Sequence, residues 1–171
     1  MNPPANDFRI VTEWRLQGGI ADIAAILTDV KAFPRWWGAV YLAVRILDPG
    51  DENQIGSTVA VHSKGWLPYR LDWVGRLVSA DLPHRWEIDA TGDLVGHGVW
   101  RLTQDGTMAR VIYDWRVRAE KPLLRRLSPV LAPIFAWNHR WAMARGLEGL
   151  RGELTRRAQL PSAMPTTNKT A

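Results

Sequence analysis

The feature that most limits this fold is a change of period. From residue 57 to residue 119 the chain repeats short alternating segments, and beyond Pro122 it switches to a helical spacing over 123–158. Alternation is plainest near the end of the first region. There Val111, Tyr113, Trp115 and Val117 interleave with Arg110, Asp114, Arg116 and Arg118. Residues two apart share a face of a strand, so this strand has one apolar, aromatic-rich face and one charged face. Leu71, Trp73 and Leu77 interleave in the same way with Arg70, Asp72 and Arg76, and Trp86, Ile88 and Ala90 with Arg85, Glu87 and Asp89. Trp100 and Leu102 share a face as well.

The strand-like segments are 57–64, 69–79, 84–90, 96–104 and 108–119, parted by GWLP, SADLP, TGDLVG and QDG. Each separator is rich in turn residues. Tyr41–Leu47 reads as one further strand, and Phe8–Leu16 as the first, with Phe8, Ile10, Thr12, Trp14 and Leu16 on one face. Residues 19–28 and Asp29–Trp37 fit two short helices between these strands. Pro129 and Pro133 are expected to disturb the start of the long helix. Short turns between consecutive strands favour an antiparallel meander, and its apolar face needs a cover. The expected product is an α+β fold: a curved antiparallel seven-stranded sheet wrapped around a long C-terminal helix, with two short helices after the first strand. A single domain over 7–158 is expected, between a flexible N-terminus at 1–6 and a disordered polar tail at 159–171.

Composition narrows the function classes. With no cysteine, disulfides, thiolate nucleophiles and zinc–thiolate sites are excluded. No apolar run reaches membrane-spanning length and MNPPANDFRI does not read as a signal peptide, so the expected location is the cytoplasm. A net charge of +5 without a nucleic-acid-binding motif gives no reason to expect nucleic acid as a partner. Neither HExxH nor GxSxG occurs, and the glycines at 92, 96 and 98 lack the βαβ setting of a phosphate-binding loop. Neither a metal nor a cofactor is expected.

The element order, together with Trp14, Leu27-Thr28-Asp29 and Pro34-Arg35-Trp36-Trp37, resembles the START-like superfamily, also called SRPBCC or helix-grip proteins. Within it, GWLPY, TGDLVGHGVW, YDWRV and NHRWAMARG are similar to the bacterial polyketide cyclase/dehydrase-type members, over about residues 7–158. The resemblance implies a cavity between sheet and helix that takes a hydrophobic ligand. It implies no shared catalytic motif.

The expected cavity lining follows from the alternation: Leu71, Trp73, Trp86, Ile88, Trp100, Leu102, Val111, Tyr113 and Trp115 from the strands, with His139 and Met143 from the helix. Ala132, Ala136 and Gly146 recur on the same helical stripe, and small residues opposite large aromatics either leave a void or allow close packing. His139 and Tyr113, or an Asp93–His97 pair, are the candidate acid/base groups. Tyr69 can also donate to a ligand oxygen. The meander brings the loops at 64–69, 91–97 and 119–124 to one rim, so Trp66, Leu67, Leu94, Val95, Leu123 and Leu124 form a candidate gate. Lys64, Lys121, Arg125 and Arg126 lie beside it. Trp137 and Trp141 either pack beneath the short helices or face a partner subunit. Three functions remain open: a carrier or presenter of a lipid-like or aromatic molecule, a polyketide cyclase/dehydratase-type enzyme working by positioning and acid/base chemistry, and a lipid-collecting protein in transient contact with a membrane surface.

Overall fold

The computed structural model describes residues 7–119 and 122–160, with side chains placed for 8–118 and 133–160. The expectations for 1–6 and for the tail from 161 lie outside the described residues. Gln159 and Leu160 bond back to Thr155 and Arg157 just past the end of the last helix.

Strand β1 (Asp7–Gln17) leads into α1 (Ile20–Thr28), one 3-10 turn (Val30–Ala32) and α2 (Phe33–Trp36). The meander follows as β2 (Tyr41–Asp48), β3 (Thr58–Lys64), β4 (Arg70–Asp81), β5 (Arg85–Gly92), β6 (Leu94–Asp105) and β7 (Met108–Ala119). Helix α3 (Pro122–Ala158) closes the order. The seven strands form one antiparallel sheet in the order β1-β7-β6-β5-β4-β3-β2, a meander whose last strand returns to pair with the first. Pro122 opens α3, where the missing N–H costs nothing. Pro129 and Pro133 lie inside the helix rather than bounding it. No helix among the described residues is long and apolar enough to cross a membrane.

Register sets the interior out in rows across the sheet. Trp14, Val111 and Leu102 form one row, and Leu16 pairs with Ala109 in the next. With Ile23, Ile26 and Leu27 of α1 and Leu150 of α3 they make the solid core at one end of the groove. Trp36 and Trp37 fill the middle. A Cβ on Gly146 would sit 2.4 Å from the Trp37 ring, and one on Gly149 would sit 2.0 Å from the Trp36 carbonyl. The small residues on this half of α3 are therefore seats for the Trp37 indole and the Trp36 main chain, not the walls of a void. Trp37 Nε1 also donates to the Ala142 carbonyl at 2.9 Å.

One ionic cluster fixes the same end. Glu153 of α3 has a side chain only 1% exposed and accepts bonds from Arg35, Arg156 and Arg157. Hydrogen bonds from Arg156, then Arg35, hold its carboxyl far below the usual carboxylate range. The link from Arg35 joins α2 to α3.

Candidate functional site

On the other side of Trp37 the sheet and α3 touch at Phe8–Phe135 and Thr12–His139 but leave a space between them. A cavity of about 150 Å³ lies between them. Three rows of the sheet floor it: Phe8 with Val117 and Gly96, Ile10 with Trp115 and Gly98, and Thr12 with Tyr113 and Trp100. The inner face of β6 therefore reads Leu94, Gly96, Gly98, Trp100, and a Cβ on Gly96 would run into the Arg116 carbonyl of β7. Gly98 has a further role. A Cβ there would lie 2.7 Å from the Tyr113 hydroxyl and 2.8 Å from the Trp115 ring, so only glycine lets both aromatics lie over β6.

Leu71, Trp73, Trp100, Tyr113, Trp115, His139 and Met143 line the cavity as the alternation suggested. Trp86, Ile88, Leu102 and Val111 face inward but do not line it. Trp86 lies behind Trp100 in a stack with 5.7 Å between ring centroids, while Leu102 and Val111 belong to the solid core beneath α1. Alternation fixes which face a side chain takes, not how far along the groove the covering helices fill it. The lining also holds Phe8, Ile10, Trp37, Val40, Tyr41, Ser63 and Phe135, which sequence reasoning did not place there. The bulge after Tyr41 breaks the count in β2 and hides that residue's face.

The polar groups of the interior divide into those already bonded and those not. Trp73 Nε1 donates to Ser63 Oγ at 3.0 Å. His139 Nε2 lies 3.4 Å from Thr12 Oγ1. Burial first, then the neighbouring Arg140 charge, lowers the His139 pKa to about 4, so its imidazole is neutral at pH 7. Burial raises both Tyr41 and Tyr113, and Tyr113 is raised further by its electrostatic coupling to Tyr41. Both are therefore un-ionised phenols. Among the described residues no hydrogen bond reaches either hydroxyl, while the one sealed side-chain polar atom without a partner is Trp36 Nε1. Neither phenol oxygen is sealed in protein, and both side chains line the cavity. Tyr69 lines the outer part, its pKa also raised by burial.

The expected Asp93–His97 pair is not formed. Asp93 Oδ2 accepts the Asp72 N–H at 2.9 Å and braces the turn between β5 and β6. His97 lies on the outer face of the sheet, its Nδ1 2.7 Å from Asp89 and its Nε2 2.9 Å from Glu87. Neither reaches the cavity. His62 also faces outward, with Nδ1 2.6 Å from Asp72. Among the described residues no group of His, Cys, Asp and Glu is arranged to hold a metal ion.

At the rim, Lys64, Tyr69 and Leu94 meet Phe135 and Asn138 of α3. Leu94 begins β6 rather than sitting in a loop, because Gly92 adopts φ +110 and leaves only Asp93 between the strands. Val95 falls on the opposite face. Trp66 is 59% exposed and meets Trp137 edge-on, with 4.6 Å between ring centroids. Trp137 thus faces the turn, and Trp141 packs on the core from a half-buried position. The side chains of Leu123 and Leu124 lie outside the described residues, as do those of Lys121, Arg125, Arg126 and Ala132.

No family model matches the sequence, and no curated protein does. Solved structures do. The Zhui aromatase/cyclase from Streptomyces sp. R1128 superposes at TM-score 0.70 with 17% identity, over 90% of this chain and 96% of its own. A START superfamily protein from Mycobacterium smegmatis gives 0.68 at 14% identity, over 85% and 98%. Norcoclaurine synthase from Thalictrum flavum, in complex with dopamine and hydroxybenzaldehyde, gives 0.57 at 14%, over 86% and 87%. This is the START-like helix-grip fold. At these identities the likeness is one of architecture. In helix-grip terms, the sheet is the palm and α3 the gripped helix, and here the grip is tight at Trp37 and open beyond it.

Proposed function

We propose that this helix-grip protein binds a small hydrophobic molecule in the cavity, as a carrier or presenter acting in the cytoplasm. The observation that carries this reading is an unfilled space of about 150 Å³ walled by Trp73, Trp100, Trp115 and Phe135. Unfilled volume in a core costs about 24 cal/mol per Å³ in engineered cases, so a chain that keeps such a space gives up a few kcal/mol of stability. A ligand that fills it returns that stability. An engineered apolar cavity of about 150 Å³ takes benzene, so one aromatic ring or a short aliphatic chain suits the space. The complex of a fold neighbour with dopamine and hydroxybenzaldehyde supports the choice of a one-ring aromatic.

A cyclase/dehydratase-type enzyme is the second reading. It is favoured by a neutral imidazole and two phenols sharing one cavity, and by the aromatase/cyclase among the fold neighbours. Among the described residues no general acid–base pair with a charged member faces the inner end of the cavity, which sets this reading second. Lipid collection at a membrane surface draws on the exposed Trp66, Trp137 and Ile134.

Titration with ethylbenzene and n-butylbenzene, followed by tryptophan fluorescence, tests the first reading. Saturable binding is expected in the wild type and loss of binding in Met143→Trp, which fills the space. Absence of binding in the wild type, or equal binding by the filled variant, overturns it. Native mass spectrometry of protein from its source cell identifies the retained ligand.

A further inference from the structure

Resting on the hydrophobic-ligand reading, we infer that the preferred occupant is an aromatic ketone or aldehyde whose carbonyl oxygen sits between the hydroxyls of Tyr41 and Tyr113. Ser63 Oγ already accepts from Trp73, and its own hydroxyl faces the Leu71 carbonyl. His139 Nε2 is occupied by Thr12. Asn138 Oδ1 accepts two backbone N–H groups of the rim turn. At the inner end of the cavity two phenolic O–H groups remain open, those of Tyr41 and Tyr113, while the Tyr69 hydroxyl and Lys64 lie toward the rim.

A phenol is a good donor, and a buried donor without an acceptor is costly. The matching ligand atom is an oxygen with two lone pairs and no hydrogen of its own. A carbonyl meets that description. An alcohol can accept from one phenol, but its own hydrogen then needs an acceptor. A carboxylate seated between the two phenols would bring a charge to the inner end, away from Lys64 at the rim, and an uncompensated buried charge is expensive. The walls fix the rest of the ligand. Tyr113 stacks on Trp100 with 4.1 Å between centroids, and Tyr41 meets Phe33 and Trp37 edge-on at 4.8 and 5.0 Å. Both phenol rings are thus held by packing before any ligand arrives, which lowers the entropy lost on binding.

Acetophenone, 1-phenylethanol and ethylbenzene share one ring and nearly one shape and differ at the oxygen. Their affinities for wild type, Tyr41→Phe and Tyr113→Phe are measured by calorimetry. Acetophenone is expected to bind about tenfold more tightly than ethylbenzene, with the alcohol between. Each phenylalanine variant should lose most of that preference while ethylbenzene binds as before. Equal affinity for ketone and hydrocarbon, or a preference that survives both variants, overturns the carbonyl site and leaves the hydrophobic cavity standing. Failure of all three compounds to bind removes the cavity reading and this one with it. A measurement on the wild type guards against variants that do not fold: the infrared carbonyl band of bound isotope-labelled acetophenone should shift to lower frequency than in hexane. An unshifted band also overturns the proposal.

Discussion

Asn138 holds the turn that carries Trp66: its Oδ1 accepts the Trp66 N–H at 2.7 Å and the Leu67 N–H at 3.2 Å. One side-chain oxygen thus joins α3 to the β3–β4 turn directly above the cavity rim. Gly65 is part of the joint, since a Cβ there would come within 2.2 Å of the Asn138 amide. His139, the next residue, lines the interior. The joint and the pocket therefore share one turn of helix.

Asn138→Ala removes both bonds and should cost about 1–2 kcal/mol of stability. If the turn gates the cavity, the variant should also speed uptake and release of a fluorescent hydrophobic probe in stopped flow. Unchanged rates with lowered stability would make the joint purely structural.

Trp66→Ala separates gate from plug. The ring is mostly exposed and its main partner is Trp137, so stability should fall by only about 0.5–1.5 kcal/mol, the range of an aromatic pair. Exchange rates should change more than the melting temperature does. A large drop in melting temperature with unaltered exchange would sink the gate.

The buried imidazole predicts an acid sensitivity. In the folded chain His139 titrates near pH 4, against about 6.5 when unfolded. Between these values the unfolded state binds the extra proton, so stability is full above pH 6.5 and falls as pH drops toward 4, by about 3 kcal/mol. Urea unfolding of His139→Phe across this range should show a flatter profile than wild type. Identical slopes would refute the assignment.

Glu153→Gln should destabilise the protein by about 2–3 kcal/mol, because it leaves Arg35, Arg156 and Arg157 without their shared carboxylate. Ligand affinity per folded molecule should be unchanged, since the cluster lies beyond Trp37. A parallel loss of affinity, measured by calorimetry well below the melting temperature, would show that the two ends are coupled.

Strand faces and element order were readable from the sequence because alternation depends only on local geometry. The reading lost precision where a turn was tighter than its composition suggested. TGDLVG looked like a six-residue loop, yet Gly92 turns the chain in one step and sends Leu94, Gly96 and Gly98 into the inner face of β6. Depth was illegible for another reason. Val111 and Tyr113 have the same pattern and the same face, and one is core while the other lines the cavity, because α1 covers only one end of the groove. Asn138 gave no signal at all, since its partners are main-chain groups 71 and 72 residues away.

Helix α3 is clamped at one end and, among the described residues, touched nearer the other at separate points: Phe135 on Phe8, Trp137 on Trp66, Asn138 on the rim turn and His139 on Thr12. Gly146 seats the Trp37 indole, Gly149 meets the Trp36 main chain and Glu153 gathers three arginines, whereas beyond Ala142 the rim turn is tied through Asn138. In mechanical terms the Trp37 end is the foundation, and the rim end is a row of separate fastenings that share the load.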